Sequence, residues 1–123
     1  MPDMNLTELQ ALAAQQHAGR ETARAFADSV RASIGSRIQW IRLFGSLARG
    51  DWMGADESDI DVAVIVRDMT DEDARTIVRL ASAQTWQTGF VISRRVFSPV
   101  EFAGLQQREL RLARDILDEG FAL

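Results

Sequence analysis

The sequence predicts a mixed α/β (α+β) fold, a small mixed β-sheet of about three to four strands packed with α-helices. Three observations point there. Two strand-like apolar runs, Ile38 to Phe44 and Asp59 to about Arg67, flank a Gly45-Ser46 turn. Stretches with apolar residues at helical spacing lie on both sides of this core. A third strand-like run, Phe90 to Phe97, falls between two of those helical stretches.

In chain order, residues 6–34 read as a helical segment. Thr7 with Gln10 has the capping-box pattern, and Leu6, Leu9 and Ala13 follow at helical spacing. Gly19 weakens that pattern, and Ala23, Phe26, Ala27, Val30 and Ile34 form a cleaner stripe that stops at Gly35. His17 is the single histidine and reads as a surface or packing residue, not as a catalytic base. Residues 38–44 deliver the chain to the Gly-Ser turn, and residues 51–58, with Gly54 and several acids, form a loop. The strand that follows is apolar on both faces after Asp61, as a central strand covered on both sides should be.

Thr70 caps the next helix, whose first turn, Asp71-Glu72-Asp73, suits the helix dipole. That acid run is a helix start and not a metal site. Ala74, Ile77, Val78, Ala81 and Thr85 mark the buried face, and Gly89 stops the helix before the third strand, 90–97. Ser98-Pro99-Val100-Glu101 opens the C-terminal helices, 99–119, with serine as cap, proline at the first position and glutamate at the third. Leu105, Leu110, Ala113, Ile116 and Leu117 continue the burial as far as Gly120, and Phe121-Ala122-Leu123 is expected to dock as a short edge strand. Residues 1–123 read as a single domain around the motif core 38–67.

A chain of 123 residues can bury roughly two-thirds of its unfolded surface unaided. It has no cysteine, which removes disulfides, thiolate zinc sites and cysteine nucleophiles and suits a reducing cytoplasm. Apolar runs are too short to span a membrane, and the Met1-Pro2-Asp3 start lacks the charge pattern of a secretion signal, so a soluble, cytoplasmic protein is expected. Net charge is −4, which argues against a large nucleic-acid footprint. All 14 basic residues are arginine, so any basic side chain touching a phosphate is a guanidinium and a Walker A lysine is excluded. Trp40, Trp52 and Trp86 read as packing residues, with Trp52, in the motif loop, the one expected to be exposed.

The chemistry concentrates in four residues. Gly45 lets the backbone pass close to a bulky anion, Ser46 adds a hydroxyl, and a helix starting there turns free N–H groups toward a phosphate. Asp59 and Asp61 are two apart and project to one face of a strand, Ile60, Val62, Val64 and Val66 to the other. Paired carboxylates repel unless a cation joins them. Few hard oxygen ligands, with phosphate oxygens completing the shell, describe Mg2+ better than zinc or calcium.

Gly45-Ser46, the following Ala48-Arg49-Gly50 and Ser58-Asp59-Ile60-Asp61-Val62 resemble the nucleotidyltransferase superfamily that includes DNA polymerase β and the minimal nucleotidyltransferases (MNT) of prokaryotes. The resemblance implies a polymerase-β-like fold and transfer of a nucleoside monophosphate, AMP from ATP in the MNT antitoxins, to a hydroxyl. It implies Asp59 and Asp61 as catalytic and metal-binding residues, with Mg2+ as cofactor, and Gly45 and Ser46 as the nucleotide-binding residues. A third carboxylate is expected on the next strand, yet Phe90 to Phe97 contains none; the matching position falls near Val91 or Arg95. An arginine there would neutralise the aspartate pair in place of a metal, and Glu101 is the one nearby acid available as a substitute. Arg49 has two candidate partners, a phosphate or Asp51. The chain has no room for an acceptor-binding domain, so a partner chain is expected: a helical HEPN-type toxin, as in MNT toxin–antitoxin pairs, or another copy. The alternative is a degenerate module that binds Mg-nucleotide or a partner without turnover.

Overall fold

The computed structural model describes residues 4–123, so Met1-Pro2-Asp3 lies outside the described residues. Helix α1 (Leu6–Ile34) starts at Asn5, whose side chain accepts a hydrogen bond from the Glu8 N–H at 2.8 Å. This corrects the expected Thr7-Gln10 cap: the asparagine takes the extended conformation a cap needs, and Thr7 is already inside the helix. Gly19 does not interrupt α1. It is buried, and a Cβ there would come within 3.2 Å of Leu47 Cδ2, so the small residue lets the helix pass close over the motif region. Gly35 ends α1 as expected, donating its N–H to Arg31 O, and one 3-10 turn (Gly35–Arg37) leads into the sheet.

Strand β1 (Ile38–Phe44) is followed by a single-turn helix α2 (Ser46–Arg49) and, after the loop, by β2 (Ile60–Val66). Helix α3 (Asp71–Thr88) then crosses to β3 (Ile92–Phe97), α4 (Pro99–Arg108) and α5 (Leu110–Leu117) follow, and β4 (Phe121–Ala122) closes the chain. The sheet order is β3-β2-β1-β4, with β2 antiparallel to β1, β3 parallel to β2 and β4 antiparallel to β1. Strand β2 is therefore interior, and every residue from Val62 to Val66 is buried. The tail is an edge strand, as its sequence predicts.

Alternation along β2 divides the protein into two packed layers. Ile60, Val62, Val64 and Val66 join Ile41, Leu43, Ile92, Phe26, Val30 and Ile77 in a core under α1 and α3. Phe44, Ala63 and Ile65 join Phe102, Leu105 and Ile116 under α4 and α5. Asp61 shares the parity of Ala63 and Ile65 and belongs to this second, smaller layer. Arg42 holds that layer to the sheet, its Nε donating to Ile116 O at 2.9 Å and an Nη to Gly120 O at 2.8 Å, which satisfies carbonyls at the end of α5.

Three burial expectations are corrected. Trp52 is 0 % exposed and part of the main core, whereas Trp86 is 92 % exposed. Ala74 and Val78, expected on the buried face of α3, are exposed, and Asp73 and Thr76 face inward with Ile77 and Ala81. Leu110 and Leu117 are exposed because Glu109 (φ −126°, ψ 68°) breaks the C-terminal helix and resets which face looks inward.

The start of α3 is capped by Thr70 as expected, and its Asp73 does more than complement the dipole. Asp73 is buried, completes a capping box with Thr70 and forms a two-pronged ion pair with Arg37, one arm at 2.7 Å. Its carboxyl is held far below the usual carboxylate range, first by the Arg37 hydrogen bonds and then by the Thr70 backbone N–H.

Candidate functional site

Phe44, the last residue of β1, lies opposite Asp61 in the antiparallel register, so the chain leaving β1 passes directly beside the Asp61 side chain. Gly45 makes that passage at φ 76°, and an added Cβ would collide with the Asp61 carboxylate. Glycine is required twice here, for the dihedral and for the contact. The first hydrogen bond of α2 runs from Arg49 N–H to Gly45 O at 3.0 Å, which leaves the amides of Ser46, Leu47 and Ala48 ahead of it, at the start of the turn. Gly50, at φ 92°, ends the turn.

The loop that returns the chain to Asp59 is anchored from two sides. Trp52 is inserted into the core with its indole N–H donating to Ser58 O at 3.2 Å and its ring 5.7 Å from that of Phe90. Gln16 on α1 donates to Trp52 O at 3.1 Å and to Gly50 O at 3.3 Å. Neither role is visible in the sequence beforehand; the only signal is a polar Gln16 on the inner side of α1 and an indole in a loop otherwise rich in acids.

Asp59 is exposed and precedes the first residue of β2, while Asp61 is half-buried within the strand. The Asp61 carboxyl is pushed above its ordinary value, mainly by burial and next by the Asp59 charge; Arg95 and Arg49 pull the other way. The four residues singled out in the sequence are thus neighbours: Gly45 touches Asp61, Ser46 follows Gly45 into the turn, and Asp59 is near enough to act on Asp61 electrostatically. Among the described residues, no group of three or more His, Cys, Asp or Glu side chains is arranged to hold a metal ion.

The other candidates fall as follows. Arg49 is paired within the protein, 3.5 Å from Asp51 and 3.5 Å from Glu119. On β3, Ser93 is the direct partner of Asp61, and Arg95, opposite Ala63, projects to the same face. No acid stands on that face of β3. Glu101 is excluded as the substitute: its carboxylate accepts the Ser98 N–H at 3.0 Å in a capping box beyond the far end of β3, where Phe97 pairs with Ile65. His17 is exposed on α1.

Residues 32–123 match the family model described as polymerase beta nucleotidyltransferase. The chain belongs to the polymerase β nucleotidyltransferase family. A protein of Methanocaldococcus jannaschii provisionally named a protein adenylyltransferase is 31 % identical over 74 residues, 59 % of this chain and 73 % of that protein. Among solved structures, a provisionally named nucleotidyltransferase from Sulfolobus solfataricus superposes with a TM-score of 0.55 at 17 % identity, over 99 % of this chain and 90 % of that one. A complex of tri-AMPylated Shewanella oneidensis HEPN toxin with MNT antitoxin matches with a TM-score of 0.52 at 21 % identity, over 85 % of this chain and 70 % of the matched one. A toxin–antitoxin complex with AMP-PNP matches with a TM-score of 0.54 at 23 % identity, over 79 % and 68 %. At these identities the structures establish the polymerase β nucleotidyltransferase fold. No helix among the described residues is long and apolar enough to cross a membrane.

Proposed function

We propose that this nucleotidyltransferase transfers AMP from ATP to a hydroxyl on a partner protein, with Asp59 and Asp61 as the catalytic, metal-binding pair and Gly45 and Ser46 as the nucleotide-binding turn. The observation that carries the reading is the contact between the Gly45 turn and Asp61, which puts an anion-accepting bend and a cation-accepting carboxylate side by side. The donor set fits Mg2+: two hard oxygen ligands, a turn whose first amides precede its first helical hydrogen bond and, among the described residues, no cluster of three or more protein ligands. When bound, Mg2+ would supply charge neutralisation for the triphosphate.

In this reading the amides at the start of α2 and the Ser46 hydroxyl hold the β- and γ-phosphates. The acceptor oxygen attacks the α-phosphorus in line, the bond from the α-phosphorus to the bridging oxygen breaks, and pyrophosphate leaves as the hydroxyl proton is released. Asp61 and Asp59 would hold the Mg2+ that offsets the phosphate charge, so catalysis would come chiefly from positioning and charge. A protein acceptor is favoured by the adenylyltransferase name of the archaeal relative and by the AMPylated HEPN toxin in one structural neighbour. A helical HEPN-type protein is the first partner to try.

The absence of an acid on the Asp61 face of β3 favours a second reading, a module that binds Mg-ATP or a partner without turnover. Incubation with α-labelled ATP, Mg2+ and a HEPN-type partner separates the two. Label on the partner that disappears with Asp61→Asn supports transfer. Nucleotide binding with no label transferred supports the module.

A further inference from the structure

The two sides of Asp61 differ. On the β1 side stands the Gly45 turn; on the β3 side stand Ser93, directly opposite, and Arg95, one step along the same face. An ion held by the pair next to the turn can share the phosphates. A second ion held by the same carboxylates would have to sit on the β3 side, where it would find a serine hydroxyl and a guanidinium instead of an acid. Like charges at this range disfavour joint occupancy, and a divalent ion without a charged oxygen ligand on that side is poorly held.

We propose that the site works with one divalent cation instead of two, the Arg95 guanidinium standing as the fixed positive charge where a second ion would sit. This rests on the Mg-nucleotide reading above and adds a stoichiometry to it. Arg95 is a positioning residue in this scheme, acting on Asp61 and on the charge of the bound nucleotide.

The test is a count of bound Mn2+ by electron paramagnetic resonance, with the full chain, a non-hydrolysable ATP analogue and Mn2+ raised to millimolar concentrations. One Mn2+ per chain in the wild type is expected. The double variant Ser93→Asp, Arg95→Ala, which installs a carboxylate beside Asp61 and removes the guanidinium, is expected to take up a second. Both positions lie on an edge strand and are not fully buried; should the double variant fail to fold by circular dichroism, Arg95→Glu alone serves and is expected to gain the second ion too. Two ions in the wild type overturn the proposal and leave the nucleotide reading intact. No ion at all overturns both. One ion in wild type and folded variants alike overturns the assignment of this position to Arg95.

Discussion

Two aspartates, one in β2 and one in the first turn of α3, have opposite fates. Asp73 is buried at the start of α3 but fully satisfied: Arg37 grips it with two nitrogens, the Thr70 N–H donates to it, and its carboxyl is held far down. Asp61 is only half-buried, yet its nearest charged neighbour in sequence is another acid, and its carboxyl is pushed up. The protein supplies a cation to one and withholds a full partner from the other. That difference separates a carboxylate that secures the fold from the one that, in the proposed function, receives a charge from outside.

The comparison is broken most severely at Asp61. Asp61→Asn is expected to reduce adenylyl transfer about a hundredfold or more, the scale seen when a preorganised charged contact to a reacting phosphate is removed. Asp73→Asn, measured well below its melting temperature, is expected to leave transfer unchanged within about twofold, in keeping with a role confined to the fold. A smaller effect follows at the turn. Gly45→Ala forces a positive φ on a residue with a Cβ and drives that carbon into Asp61, so a loss of ~1–3 kcal/mol in stability is expected by chemical denaturation, with nucleotide binding weakened too.

The same Asp→Asn exchange should then change stability with opposite signs. Without metal at neutral pH, Asp61→Asn removes a half-buried charge next to Asp59 and should raise Tm, whereas Asp73→Asn removes the partner of Arg37 and should lower it by several degrees. The pH dependence sharpens this. A carboxyl depressed in the folded state, as in Asp73, contributes stability above its unfolded pKa of about 4 that is lost as pH falls through the folded value. A carboxyl raised in the folded state, as in Asp61, contributes least once both forms are ionised, so its cost grows as pH rises from about 4 through the folded value. Thermal melts from pH 3 to 7 should therefore show a steep acid limb that flattens in Asp73→Asn. The smallest expected effect is a gain at the upper end of that range, seen in Asp61→Asn as a rise in Tm relative to wild type.

Much of this arrangement is legible in the sequence because the signals that carry it are local. Thr70 and Ser98 cap helices, Gly35 and Gly89 end them, and Gly45-Ser46 and Asp59-Ile60-Asp61 occupy a turn and a strand start whose side-chain directions follow from pleat alternation. The misreadings are tertiary in origin. Trp52 sits in a polar loop and is buried because Gln16, more than thirty residues earlier, and Phe90, on the way to β3, close around it. Leu110 is exposed because one backbone irregularity at Glu109 rotates the following helix. Asp73 looks like one acid among three until Arg37 is brought to it across the β1–β2 hairpin. Register is the other missing piece: the third strand is plain in the sequence, but only pairing shows that Ser93, and neither Val91 nor Arg95, stands directly opposite Asp61, with Arg95 one step along the same face.

The central claim is that Asp61, Asp59 and the Gly45-Ser46 turn form one receptor for a Mg2+-bound nucleoside triphosphate. Calorimetric titration of ATP into the wild-type chain, with Mg2+ and then with excess chelator, tests it most directly. Saturable binding that requires Mg2+ and vanishes in Asp61→Asn is the expected result; ATP binding indifferent to Mg2+ and to that substitution, or no binding at all, would contradict it.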